Sequence, residues 1–372
     1  MTSPKAKICF VVAPSGQKGG GMGRVKDYIL QSGGDYLGRV QFRFLDTRGS
    51  GHVIWSPLYL TRAITRIWLA AAIGELAAVH VNFGDRASAL RKGIVILMTR
   101  AVGAPAILHL HAVELVKHYE KAGPLLRWLI RRPFRAATCN IVLGQIWKNW
   151  LVNSLGVEPA RVEVVYNGVP APGHFRAPES FSTPGLCQIL FLGNLMERKG
   201  VSDLLHALAL LPATAPDWHM TFVGGGDVEV YKTLAEQLRL VGGVTFAGWK
   251  NQDEVRLLLA TTDALVLPSY EEGLPLAILE ALGCGAPVLA TPVGAIPEVL
   301  QDGNTALLVP PGDRKALSEK LRLLISDTGL RKRLSDEGVR LYREKFTLDA
   351  FIERLFDVYR RHCGLPIERA TS

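Results

Sequence analysis

The chain has 372 residues, 48% of them hydrophobic, which is enough for two ordinary domains with sizeable cores and argues against a disordered chain. Residues 1–180 hold 23 lysines and arginines against 10 acidic residues, whereas the remainder holds 20 against 24. The overall charge of +9 therefore comes from the N-terminal half, which predicts an anionic partner there: a membrane surface, a phosphorylated acceptor or a nucleic acid.

The cysteine pattern and the longest apolar runs bear on location. The cysteines are odd in number, scattered along the chain and without metal-ligand spacing, which indicates reduced core thiols and no structural metal. The N-terminal apolar run Ile8–Ala13 is too short for a signal peptide, and no run approaches the roughly 18–20 apolar residues of a spanning helix. We therefore expect a cytoplasmic protein.

A glycine-rich turn follows the first predicted strand, Lys7–Ala13. The sequence SGQKGGGMGR leads into a helix expected from about Arg24. Glycines allow close backbone approach, and free N–H groups in such a turn can hold an anion. Neither the dinucleotide-binding G-x-G-x-x-G spacing nor a P-loop lysine is present. Gly20 and Gly21 are thus candidate anion-binding residues, with a plain flexible loop as the alternative.

Strands and helices then alternate, as in a parallel α/β sheet. Strands are predicted at 40–45, 79–82 and 106–110, with helices at 58–76 and 94–100. Strand alternation places His109 and His111 on the same face. With no third ligand nearby a metal site is disfavoured, and a strand-end histidine is more often a core or turn residue.

The segment Pro124–Arg135, PLLRWLIRRPFR, interleaves apolar residues with arginines. Such a helix can lie in a membrane interface, with its tryptophan at headgroup depth. The alternative is an amphipathic helix packed on the domain core with its arginines in water. Both readings remain open from the sequence.

Residues 170–185 carry four prolines and two glycines, a composition typical of a linker. We place an N-terminal domain at 1–169 and a C-terminal domain at 186–345. The second domain opens with a strand at 188–192 and the segment GNLMERKG, in which Arg198 and Lys199 precede a helix. A basic pair before a helix N-terminus favours an anion.

The stretch from Ala264 to Asp313 reads as strand, turn, helix, strand. Ligands of such units bind beside the helix N-terminus. Pro275 is expected as the first helical residue, so that the N–H groups of Leu276 and Ala277 face a phosphate. Glu272 in the turn and Glu280 in the helix are suited to accept hydrogen bonds from sugar hydroxyls. The alternative is that both are ordinary helix-entry and surface charges.

The segment PSYEEGLPLAILEALGCGAPVLATPVGAIPEVLQDGNTALLVPPGD resembles the nucleotide-sugar site of the family-4 retaining glycosyltransferases, which have the two-domain GT-B fold. The resemblance covers most of the chain and is strongest over 188–313. It implies an α/β protein of two Rossmann-like domains facing a central cleft. It also implies a last helix, about 346–365, that packs back on the first domain.

The resemblance also assigns roles to individual residues. Glu280 would contact the donor ribose, Glu272 the transferred sugar, and His111, in HLHAVEL, the transferred sugar and transition state. The family usually has arginine where Asn194 stands, so that Arg198 would take over that phosphate contact beside Lys199. The other donor-binding residues implied are backbone or helix-start positions: Gly20, Gly21, Gly273, Leu274, Pro275, Leu276 and Ala277.

The activity implied is retaining transfer of a sugar from a UDP- or GDP-sugar to a glycan, with a lipid-linked glycan of bacterial surface polysaccharide or glycolipid synthesis as the expected acceptor. No metal ligands and no cofactor are expected, since no Asp-x-Asp motif is present. The partners would include an anionic membrane surface on the cytoplasmic side and no nucleic acid. Two alternatives stay open: a GT-B sugar-nucleotide epimerase, and a basic nucleic-acid-binding protein.

Overall fold

The structure is a computed structural model that describes residues 6–14, 20–32, 36–38, 40–49, 52–84, 87–111, 113–173 and 185–369. The chain forms two compact units. Unit 1 comprises residues 1–167 and 349–372, and unit 2 comprises residues 168–348. The sequence placed the corresponding boundaries at 169 and 345, and most of its linker, residues 174–184, lies outside the described residues.

Unit 1 is built on a parallel six-stranded sheet with the strand order β3-β1-β4-β5-β6-β7. Two further short strands, β2 and β14, pair antiparallel beside it. The strands are β1 (Lys7–Val12), β2 (Tyr36–Gly38), β3 (Val40–Leu45), β4 (Leu76–Phe83), β5 (Ala106–Leu110), β6 (Cys139–Val142), β7 (Val162–Val164) and β14 (Ile367–Arg369).

In the described part of the unit, these strands are connected and covered by the helices α1 (Gly20–Ser32), α2 (Ser56–Ala72), α3 (Ala87–Ala101), α4 (Leu115–Lys121), α5 (Pro124–Ala136), α6 (Gln145–Leu155) and α14 (Leu348–Cys363). The strands β4, β5, β6 and β7 are each entered by a crossover that moves in the same direction along the sheet. Right-handed crossovers therefore place α2, α3, α5 and α6 on one face. On β3, Phe42 stacks on Phe356 of α14 at 5.3 Å between ring centroids.

Unit 2 repeats the plan, with a parallel sheet ordered β10-β9-β8-β11-β12-β13. Its strands are β8 (Cys187–Leu192), β9 (Trp218–Val223), β10 (Val244–Gly248), β11 (Ala264–Leu267), β12 (Val288–Ala290) and β13 (Leu307–Leu308). Its helices are α7 (Val201–Ala209), α8 (Val228–Gln237), α9 (Gln252–Thr261), α10 (Leu276–Cys284), α11 (Ile296–Val299), α12 (Arg314–Ser326) and α13 (Thr328–Lys345). Every residue of β11 and β12 is buried, as expected for central parallel strands covered on both faces.

Several helix boundaries differ from the sequence prediction, and the helix predicted at 94–100 spans Ala87–Ala101. The helix predicted from about Arg24 begins at Gly20, so that three glycines of the glycine-rich segment, Gly20, Gly21 and Gly23, lie in its first turn. The helix predicted to reach Leu76 ends at Ala72, and Leu76 opens strand β4. Gly74, at φ 72°, marks this break with a left-handed conformation that glycine adopts at little cost.

Candidate functional site

The loop between β11 and α10 carries most of the predicted site residues of unit 2. Pro275 is the N-cap of α10, with φ −67° and ψ 128°, and Leu276 is the first helical residue. The prediction that Pro275 would open the helix is therefore wrong by one residue, because its extended ψ still belongs to the loop. The N–H groups of Leu276 and Ala277 lie in the first turn, where helix geometry offers no acceptor within the helix.

Helix α10 is buried nearly all round. Of its nine residues, Glu280 alone is half-buried, and the other eight are buried. A helix that is apolar on every side belongs to a core. Glu280, the one carboxylate of α10, is therefore also its one side chain that is not fully buried, about one turn from the helix start.

Glu272 and Lys199 form a buried ion pair. Lys199 Nζ lies 2.5 Å from Glu272 Oε1, and Ser269 Oγ donates to the same oxygen at 2.7 Å. Glu272 is 6% exposed, and the Lys199 side chain is 15% exposed. Two charges removed from water stabilise each other only when they are paired and hydrogen-bonded. An anionic ligand that reaches Lys199 would have to share its ammonium group with Glu272.

The two loops that contribute this pair are joined by hydrogen bonds to backbone carbonyl oxygens. Tyr270 N–H donates to Arg198 O at 2.9 Å, and Arg198 Nη1 donates to Glu271 O at 2.9 Å. A Cβ atom at Gly200, whose φ is 68°, would lie 2.0 Å from Pro268 O. Only glycine permits this approach. The structure therefore places Arg198, predicted as a phosphate contact, where it also ties its loop to the glutamate loop.

A second connection was missed by the sequence reading. Asp203 on α7 is 4% exposed and accepts from Tyr270 Oη at 2.6 Å and from Arg314 Nε at 2.7 Å. These three residues lie on separate elements, so no local pattern indicates the contact. The phenol–carboxylate–guanidinium group, which we term the Asp203 clamp, holds the glutamate loop against α7 and α12.

The loop after β12 supports the same region from the other side. Thr291 Oγ1 donates to Ser269 O, and Ala295 N–H donates to Gly273 O at 2.9 Å. A Cβ at Gly294, whose φ is 59°, would lie 1.9 Å from Glu272 O. Loops from neighbouring parallel strands thus meet at one edge of the sheet, which is where ligands bind in such folds.

Asn194 is the second residue of the loop after β8 and is exposed. The backbone beside it pairs with the loop after β9, since Leu195 N–H donates to Gly225 O at 2.7 Å. A Cβ at Gly224 would lie 1.9 Å from Gly193 O. Of the other predicted residues of this unit, Leu274 is buried and Gly273 is half-buried.

The remaining predicted residues belong to unit 1. His111 follows β5, and its ring centroid lies 4.1 Å from that of His109, which confirms that the two histidines share a face. Burial, followed by the charges of His80 and Lys92, lowers the pKa of His111 to about 3. The imidazole is therefore neutral at physiological pH, so that one ring nitrogen donates a hydrogen bond and the other accepts one.

Behind His111 lies a buried polar row. His109 is fully buried, and in the described part of the chain neither of its ring nitrogens has a hydrogen-bond partner. Its ring contacts that of His80, with centroids 5.3 Å apart. His80 is hydrogen-bonded to Asn82 Oδ1 at 2.9 Å and to Tyr359 Oη at 2.8 Å. The sequence indicated a structural role for His109, and its enclosure fits that role.

Gly20 and Gly21 are exposed at the start of α1. Asn82 Nδ2 donates to Met22 O at 3.3 Å, which connects this first turn to the end of β4. Among the residues that the structure describes, no atom lies within 4 Å of the position of a Cβ at Gly20. The backbone there is open to solvent, as an anion-binding turn requires.

Two observations concern metals and membranes. Within the described ranges, no group of three or more His, Cys, Asp or Glu side chains is arranged to hold a metal ion. In the same part of the chain, none of the helices combines the length and the apolar character needed to cross a bilayer.

Two family models match adjoining parts of the chain. The model described as Glycosyltransferase Family 4 matches residues 28–171, and the model described as Glycosyl transferases group 1 matches residues 179–340. Together they cover both units. The chain belongs to the family-4 glycosyltransferases.

Curated relatives of this family-4 chain carry glycosyltransferase names. It is 33% identical over 226 residues to D-inositol 3-phosphate glycosyltransferase of Streptomyces bingchenggensis, covering 56% of this chain and 50% of that protein. It is 31% identical over 166 residues to the lipopolysaccharide core biosynthesis glycosyltransferase LpsE of Rhizobium meliloti, covering 44% and 47%. The matched segments span about half of the length of these two relatives.

Solved structures establish the fold. The family-4 chain superposes on HepE of Anabaena, a structure in complex with UDP and glucose, with a TM-score of 0.77 over 95% of this chain and 100% of that one at 18% identity. At this identity the likeness concerns the fold alone. The α/β GT-B fold inferred from the sequence is confirmed, as is the family resemblance.

Proposed function

We propose that this protein transfers a sugar from a nucleoside-diphosphate-sugar, UDP- or GDP-linked, to a glycan acceptor, with retention of configuration at the anomeric carbon. The observation that carries the proposal is the Lys199–Glu272 pair beside the first turn of α10. It combines a cation, backbone N–H groups and a carboxylate within one loop system. A phosphate flanked by sugars requires those three types of group.

Each group has a defined task in the proposed reaction. Lys199 and the N–H groups of Leu276 and Ala277 stabilise the negative charge that grows on the departing diphosphate. Arg198 adds positive charge nearby while it holds Glu271. Glu280 accepts hydrogen bonds from the ribose.

The carbohydrate part of the donor is assigned to other side chains. Glu272, once Lys199 turns towards phosphate, accepts from hydroxyls of the transferred sugar. His111 contributes a neutral imidazole to recognition of that sugar. Gly20 and Gly21 offer backbone N–H groups to the donor phosphates, and Gly273, Leu274, Asn194 and Pro275 shape the loops around it.

In the proposed reaction one bond breaks, one bond forms and one proton is transferred, and no nucleophile from the enzyme is needed. The bond between the anomeric carbon and the diphosphate oxygen breaks as the bond from the acceptor oxygen forms on the same face. The acceptor's proton passes to the leaving diphosphate oxygen. We assign no residue to covalent catalysis, and we propose that the reaction needs neither a metal ion nor a cofactor.

The proposed acceptor is a lipid-linked glycan of surface polysaccharide or glycolipid synthesis, met at the cytoplasmic face of the membrane. The exposed start of α5 supports this choice. Leu125, Leu126, Trp128 and Leu129 are each between 46% and 71% exposed, beside Arg127 and Arg132. Of the residues of α5, only Pro133 and Phe134 are buried, so the apolar part of its first half is not used in packing.

A donor panel tests the proposed function. The purified chain is incubated with UDP- and GDP-sugars and with a lipid extract as acceptor source, and release of nucleoside diphosphate is measured with and without EDTA. We expect release from one donor, unchanged by EDTA, and a product whose anomeric proton shows the donor's configuration by NMR. Release from none of the donors, or an inverted product, would overturn the proposal.

The Glu272→Gln variant tests the proposed site, because it keeps the shape of the side chain and removes its charge. It should abolish most of the release. The surface pair Lys232–Glu229 of α8 provides the comparison, because Lys232→Ala removes a paired lysine outside the proposed site and should leave release unchanged.

A further inference from the structure

The outer face of α2 and the short 3-10 helix before it expose large apolar side chains: Ile54, Trp55, Leu58, Trp68, Leu69 and Ile73, each between 44% and 71% exposed. On the same helix Ala63, Ile67 and Ala70 face the core and are buried. Helix α2 therefore has two apolar faces, and only one of them is used in packing. A large exposed apolar patch marks an interaction site.

A shallow groove of about 500 Å³ runs along this outer face and is lined by Thr61, Ile64, Thr65, Trp68, Leu69 and Ala72. Trp68 is held at its edge, because its Nε1 donates to Met98 O of α3 at 3.1 Å. The groove is open to solvent, and its lining is mainly apolar, with two threonines. A single hydrocarbon chain is apolar and can lie along such a groove.

Charge identifies the kind of partner. Arg62 and Arg66 are exposed one turn apart on the same helix, and α2, α3 and α5 contain no Asp or Glu among their residues. Exposed arginines within an apolar patch, with no acidic residue to pair with on these helices, complement an anionic surface that also offers hydrocarbon. An anionic lipid surface offers negative charge and hydrocarbon together, and we therefore favour it over a protein partner.

The α2 face and the α5 face belong to one side of unit 1. Helix α3 packs against both α2 and α5, and a Cβ at Gly93 of α3 would lie 3.3 Å from Pro133 of α5. Right-handed crossovers put all three helices on the same face of the sheet. The exposed apolar residues of α2 and of α5 can therefore meet one flat partner together.

We propose that α2 and α5 form one docking surface for an anionic lipid bilayer, in which the α2 groove takes a lipid acyl or prenyl chain and Arg62 and Arg66 contact lipid phosphates. The choice of a lipid-linked acceptor rests on the proposed function, but docking itself does not need turnover. One arginine near an anionic surface contributes about 1 kcal/mol. Loss of two of them should weaken binding about 30-fold.

Vesicle sedimentation of the full chain tests this surface. Vesicles of phosphatidylcholine alone are compared with equimolar phosphatidylcholine and phosphatidylglycerol, at low and high salt. We expect binding to the anionic vesicles at low salt, and at least tenfold weaker binding for Leu58→Ser with Leu69→Ser. These leucines are exposed, so their replacement leaves the core unchanged. Arg62→Glu with Arg66→Glu should weaken binding by at least about 30-fold, because it removes two positive charges and adds two negative ones.

Matched controls lie in unit 2. Lys332→Glu with Arg333→Glu makes the same charge change on exposed positions of α13, and Val230→Ser with Leu257→Ser removes exposed apolar side chains. Both should bind vesicles like the wild type. Equal binding by the α2 variants, or no binding by the wild type, would overturn the proposal.

Two further outcomes are informative. A dimer in light scattering that dissociates in the Leu58→Ser, Leu69→Ser variant would show that a second copy covers this face, and would also overturn the proposal. Titration with nucleoside diphosphate separates this inference from the proposed function. A chain that binds nucleotide but not vesicles contradicts the docking surface alone, and the reverse result contradicts the donor site alone.

Discussion

Replacing Lys199 by alanine is expected to lower donor turnover by about 10²–10³-fold, the usual effect of removing one group that stabilises developing negative charge. Lys199 is the cation paired with Glu272 in the donor loop. Its contribution should appear chiefly in kcat, because the charge on the leaving diphosphate grows only as the bond breaks. Release of nucleoside diphosphate under saturating donor measures it.

The control must separate chemistry from folding. Removal of Lys199 leaves the carboxylate of Glu272 buried without its cation, and breaking a buried pair costs about 3–5 kcal/mol. The double variant Lys199→Met with Glu272→Gln removes both charges and should recover most of the stability of the wild type. If turnover stays low in the stable double variant, the loss is chemical. Turnover within tenfold of the wild type in either variant would contradict the assignment.

Unit 1 is expected to lose stability as the pH falls from about 6.5 towards 4. Burial lowers the pKa of His80 to about 4, partly offset by its hydrogen bond to Asn82, and lowers that of His109 well below its ordinary value. In this pH range the unfolded chain binds protons that the native unit does not, so the stability present above pH 6.5 is lost on acidification. For His80 alone the change is about 3 kcal/mol.

Hydrogen exchange of the two sheets within the same chain measures this effect. Amides of β4 and β5 should lose protection on acidification before those of β8 and β11, because the two fully buried histidines of the described chain, His80 and His109, both lie in unit 1. His109→Leu removes a buried imidazole that makes no hydrogen bond among the described residues and should flatten the pH dependence. Equal loss of protection in both sheets, or none, would contradict this account.

Much of the fold follows from local patterns. The buried parallel strands are short apolar runs, and β5 and β11 lie where the sequence places them, at 106–110 and 264–267. The predicted ends of helices are wrong where the hydrophobic pattern of the sequence does not change at the end of the element. Apolar residues lie on both sides of Gly74, so the predicted helix runs past its real end at Ala72 to Leu76, the first residue of β4. At Gly20 the helix begins with residues of low helix propensity, which hid its first turn.

The site was predictable only in part. The resemblance points to Glu272, Glu280 and Lys199, yet residues 199 and 272 are far apart in sequence, and their direct pairing appears only in three dimensions. The Asp203 clamp joins three elements and has no local pattern. The contacts of Gly200 and Gly294 with carbonyl oxygens likewise join residues that are distant in sequence. A single sequence does not reveal which atoms lie beside a glycine in the fold.

Calorimetric titration with UDP, GDP and ADP, each with EDTA and with magnesium, tests the donor site most directly. One nucleotide should bind regardless of metal, at least tenfold more weakly to Lys199→Ala, and at 100 times its dissociation constant it should add about 2.7 kcal/mol to the stability of the wild type. If none of the three nucleotides binds, or if one binds equally well without Lys199, the loop system of Glu272 and α10 is not a nucleotide-sugar site.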